Sequence, residues 1–115
     1  MIDIIDIRSR VYAGAMILSF TRSDPWWNVI DPDALDLDSI SDCILGQLYE
    51  TFGGGLKALD MDLSEAHDSG FYVPLFAVNK DLDQLDEEYK ALTKEWRTLI
   101  TQLREADTAE VSLAF

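Results

Sequence analysis

A chain of 115 residues, 48% of them apolar, has the size of one domain and can bury a core without disulfides or metal. Its net charge of -13 is spread along the sequence, which makes a negative surface rather than an acidic tail. Such a surface repels phosphate backbones and anionic membranes, so direct nucleic-acid and membrane binding are not expected, and a basic protein partner or a cation is favoured.

The first predicted element runs from about Asp3 to Phe20. Ile4, Ile7, Val11, Ala15 and Leu18 recur at intervals of three and four, the stripe of an amphipathic helix. Ile5, Tyr12 and Met16 widen that stripe, so the helix is expected to be central to the fold. Pro25 then disfavours helix at Asp24. In Trp26-Trp27-Asn28-Val29-Ile30, at least one indole is expected in the core. Adjacent residues do not both point inward easily, so the other indole is a candidate for a partner surface, and Trp26 is taken as that candidate.

Asp31-Pro32 suits the start of a helical turn. Ser39 is the expected cap of a helix reaching Phe52, with Ile40, Ile44, Leu48 and Phe52 buried, and Gly53-Gly54-Gly55 ending it. Short helices are expected over Leu56–Met61 and Ser64–Gly70. Phe71–Val78 is expected to be an extended, buried connection, because Pro74 interrupts it and only Val111–Phe115 could pair with it. The last helix, about Asp81–Ala106, is the clearest. Leu82, Leu85, Tyr89, Leu92, Trp96, Leu99 and Leu103 follow heptad spacing, with acidic residues at its start and basic residues later. The expected fold is all-α: one helical domain, residues 1–115, whose long first and last helices clamp a central helix.

The run Ile30-Asp31, Leu35-Asp36-Leu37 and Asp42-Cys43-Ile44-Leu45-Gly46-Gln47-Leu48-Tyr49 resembles a family of small proteins encoded in phages and prophages of actinobacteria. The likeness extends from about Ile5 to Arg104, through Gly55-Leu56-Lys57-Ala58-Leu59 and Tyr89-Lys90-Ala91-Leu92-Thr93-Lys94-Glu95-Trp96. Thr51-Phe52-Gly53 departs from it, standing where a shorter aromatic-glycine turn is expected. The resemblance implies a phage setting; a single cysteine and a start, Met1–Asp6, without the basic residues of a signal peptide lead to the expectation of the host cytoplasm. It carries over no catalytic residue.

Several constellations invite sharper readings. Cys43 and His67 are the one pair suited to thiol chemistry, but a cysteine on the shoulder of an apolar stripe is usually a core residue, and Asp38 and Asp42 oppose a thiolate. Asp31, Asp33, Asp36, Asp38 and Asp42 approach a calcium loop, yet Leu35 and Asp36 fall where that loop needs a ligand and a glycine. Alternating Asp and Leu fits a loop with leucines inward and carboxylates in water. No catalytic residue, metal site or cofactor is therefore assigned. Asp83, Asp86, Glu87 and Glu88, with Asp81 beside them, exceed what one helix start needs, which suggests solubility in the first place and a basic partner in the second; with Trp26 they are the candidate partner-binding residues. The expected function is protein–protein interaction by a small acidic phage accessory factor, an inhibitor of a host factor or a DNA mimic. The alternatives are a metal-dependent or thiol enzyme and a self-associating virion component.

Overall fold

The computed structural model describes residues 3–73 and 82–113, with side chains described through position 106. The fold is all-α. Its helices are α1 (Ile4–Thr21), α2 (Ile44–Tyr49), α3 (Phe52–Leu59), α4 (Leu63–Asp68) and α5 (Leu82–Leu113), with a 3-10 turn at Trp26–Asn28 between the first two.

α1 starts where Asp3 stands, because its carboxylate accepts from the Ile5 and Asp6 N–H groups at 3.0 and 3.3 Å. It turns Ile7, Val11 and Leu18 into the core, whereas Ile5, Tyr12 and Met16 do not widen that stripe as expected: they lie on the opposite side and are exposed. Gly14 brings it against the chain beyond α4: a Cβ there would lie 2.1 Å from the Ser69 carbonyl and 2.9 Å from the Trp96 ring. Arg22 closes the helix and clamps Asp24 through two bonds of 2.8 and 2.7 Å.

Trp96 of α5 sits at the centre. It is fully buried, stacks on Phe71 at 5.4 Å and meets Trp26 edge-on at 6.1 Å. Its indole N–H donates to the Gly70 carbonyl at 2.8 Å, so its polar atom is satisfied. Leu92, Leu99 and Ile100 extend the same stripe. The start of the stripe departs from expectation, since Leu82 is exposed. The helix also continues past Ala106 to Leu113.

The middle of the chain corrects the expected helix from Ser39 to Phe52. Ser39 caps only a turn, accepting from the Ser41 and Asp42 N–H groups, and Ile40 is left exposed. α2 begins later, where Cys43 Sγ accepts from the Gly46 N–H at 3.2 Å. It stops at Glu50, whose φ of 75° leaves helical geometry. The three glycines do not end a helix; they lie in the first turns of α3. Thr51 Oγ1 caps that helix by accepting from the Gly54 N–H at 2.9 Å. The reason for glycine is contact rather than termination. A Cβ at Gly55 would sit 2.6 Å from Leu45 Cβ, and one at Gly54 would sit 2.8 Å from the Tyr49 carbonyl. The short α4 has Asp62, not Ser64, as its cap, with Glu65 completing a reciprocal capping box. Phe71 and Val73 are buried as expected; Pro74–Val78, Asp81 and the end of Val111–Phe115 lie outside the described residues.

Trp96→Ala removes a ring packed on two sides and should cost about 3–5 kcal/mol in denaturant unfolding. The glycines should divide by neighbour. Gly53 has nothing within 4 Å of an added Cβ, so Gly53→Ala should stabilise by about 0.4–1 kcal/mol. Gly14→Ala should destabilise, because the Ser69 carbonyl occupies the methyl position. Equal effects at the two sites would contradict this packing.

Candidate functional site

Residues 29–43 form no helix, so their backbone groups need partners from elsewhere. α5 supplies many of them. Arg104 Nε donates to the Trp27 carbonyl at 3.0 Å, and its Nη2 to the Ile30 carbonyl. Arg97 donates to the Pro32 and Leu35 carbonyls at 2.9 and 3.3 Å. Thr93 Oγ1 accepts from the Leu37 N–H at 3.0 Å. From the other side, Gln47 of α2 accepts from the Asp31 N–H at 2.6 Å and donates to the Asp42 carbonyl at 3.0 Å. Leu35 and Leu37 are buried under this lacing, while Asp33, Asp36 and Asp38 stay in water.

The lacing creates a groove of about 570 Å³ between this loop and α5. Asp36 and Asp38 line one wall; Asp86, Tyr89 and Lys90 line the other. Two acidic stretches far apart in sequence thus share one concave face. Lys90 spans to Asp86 at 2.9 Å along α5. Asp38 is exposed, yet partial desolvation at the groove wall raises its carboxyl above the ordinary value, and the charges of Asp36 and Asp86 raise it further. The Tyr89 hydroxyl is also raised, first by burial, with Asp38 adding to it. It is anchored by donating to the Val73 carbonyl at 3.0 Å.

The residues singled out from sequence separate. Asp83, Asp86 and Glu87 are exposed. Trp26 is fully buried and its indole donates to Ser19 Oγ at 3.1 Å, so its assignment to a partner surface is corrected; Trp27 is the partly exposed indole of the pair. Glu88 is corrected too. It turns inward and pairs with Arg10 at 3.3 Å, and both groups are buried. Arg10 also donates to the His67 carbonyl at 2.9 Å, which ties α1 to α4 and α5. Asp36 and Asp38 complete the groove with Arg97 of α5, and nothing in the linear order pairs the two aspartates with that helix.

Cys43 is buried, and burial raises its thiol above the ordinary value. Its sulfur caps α2, whereas the His67 ring faces Asp68 at 3.2 Å. Among the described residues, no three His, Cys, Asp or Glu side chains are grouped to hold a metal ion. Nor is any described helix long and apolar enough to cross a membrane. Comparison of the chain with protein-family models, with curated proteins and with solved structures finds no match in any of the three.

A raised carboxyl in the folded state favours protonation, so the charged form of Asp38 opposes folding above its folded pKa. Asp38→Asn should therefore melt higher than the parent at pH 7. That advantage should disappear as the pH falls below about 4, where the carboxyl is protonated in folded and unfolded chains alike. Melting curves across this range test it; an advantage that persists at pH 3 would show that the crowding is not electrostatic.

Proposed function

We propose that this protein acts by binding another protein, and that its acidic groove receives a basic segment of that partner. The observation that carries this reading is the gathering of Asp36, Asp38 and Asp86 on one concave face. The carboxylate of Asp38, held near the charges of Asp36 and Asp86, is relieved by an arriving cation, and the relief contributes to binding. A lysine or arginine side chain fits this chemistry, and net charge of -13 steers a basic partner from a distance. Asp83 and Glu87 on the exposed side of α5 extend the negative field beyond the groove.

The setting we propose is that of a small phage or prophage accessory factor in a bacterial cytoplasm, on the strength of the Leu35-Asp36-Leu37 and Asp42–Tyr49 resemblance. Inhibition of a host factor follows naturally if the basic segment is a functional groove of the partner. In that form the carboxylates stand in for nucleic-acid phosphates.

Capture from bacterial host lysate on the immobilised chain should retain a basic protein and release it as salt rises from about 0.1 M to about 0.5 M. The variant combining Asp36→Asn, Asp38→Asn and Asp86→Asn should keep the helical spectrum and lose the capture. Unchanged affinity in that folded variant would remove the groove from the interface.

A further inference from the structure

α1 is apolar on two opposite sides. Ile7, Val11 and Leu18 fill the core, yet Ile5, Tyr12, Met16 and Phe20 line the other side of the same helix and are 72%, 50%, 60% and 84% exposed. At 100° per residue these four fall within one quarter of the helix, nearly opposite the buried three. An exposed aromatic and aliphatic stripe of this length is more than scattered surface apolarity.

Charge distinguishes this stripe from the remaining surface. Residues 7–23 contain no aspartate or glutamate, the longest such run in a chain with 22 acidic residues. A basic partner drawn by the negative field meets few carboxylates here: Asp3 and Asp6 flank only the Ile5 end, and Glu95 of α5 is paired with Arg8. Two copies of this chain, each at -13, repel one another, and along residues 7–23 of this face they approach without carboxylates of the run itself.

We infer that the outward face of α1 is a self-association surface that pairs two copies of this chain. The pairing is isologous, with the two α1 helices antiparallel, so that Ile5 and Tyr12 of one copy lie against Phe20 and Met16 of the other and the helix dipoles oppose. Ser9 lies within the stripe and Ala13 at its edge, small enough for the backbones to approach. The stripe exposes on the order of 500 Å² per copy, so pairing buries about 1,000 Å² in all, the lower bound for a specific interface. The expected dimer is consequently reversible. It shares no residue with the acidic groove.

Sedimentation velocity over a concentration series tests this. The parent should shift from 13.0 kDa towards twice that mass as concentration rises. Because the copies repel, association should strengthen between about 0.15 M and about 0.5 M salt, opposite to capture of a basic partner. Met16→Glu with Phe20→Glu changes only exposed side chains. With its helical spectrum intact, this variant should associate at least about 100-fold more weakly. A parent that stays at 13.0 kDa up to millimolar concentration would overturn the inference. So would a folded variant that dimerises like the parent, or a dimer weakened by salt.

Discussion

The structure depends on α5 satisfying backbone that has no helix of its own. The stretch between the 3-10 turn and α2 is long and irregular, and it covers one side of the core with Ile30, Leu35 and Leu37. Burying those side chains drags carbonyl groups out of water, which is costly unless each finds a donor. Arg97 and Arg104 lie one helical heptad apart on α5 and present their guanidinium forks to three of those carbonyls and to that of Trp27 in the 3-10 turn. A guanidinium offers several donors in a fixed plane, which a lysine ammonium does not. Among the described residues, no buried side-chain nitrogen or oxygen lacks a partner.

This use of arginine also shapes the surface. The chain has 9 basic residues against 22 acidic ones, and several of the 9 are turned to internal work. Arg10 holds Glu88 and the His67 carbonyl, Arg22 holds Asp24, and Arg97 and Arg104 hold the irregular segment. Cations spent on architecture are not available to offset the carboxylates in water. The negative field is therefore a by-product of how the fold is built as well as a property of its composition.

Much of the fold was legible because its signals are local. Asp3, Pro25 and the heptad series through Trp96 mark their elements by chemistry within a few residues. The misreadings arose where contact overrides local preference. Gly53, Gly54 and Gly55 look like a helix end, but Gly55 is required by the approach of Leu45. Trp26 and Trp27 are adjacent and alike in sequence, and Trp26 is the one held inside, against Trp96 from a distant part of the chain and by its bond to Ser19. Glu88 belongs by spacing with Asp83 and Glu87, yet Arg10, 78 positions earlier, draws it inward. The groove was illegible for the same reason: Asp36 and Asp86 become neighbours only after the arginine lacing has closed.

The span of that lacing has a consequence for biosynthesis. Arg104 reaches back to Trp27 across 77 positions, and Trp96 closes the core over Trp26 and Gly70. A nascent chain emerges N-terminus first at about 5–20 residues per second, so the early segments wait several seconds for α5. During that interval both sides of α1 and the leucines of the acidic loop are exposed together. The dispersed negative charge, already carried by those early segments, works against contact between such incomplete chains.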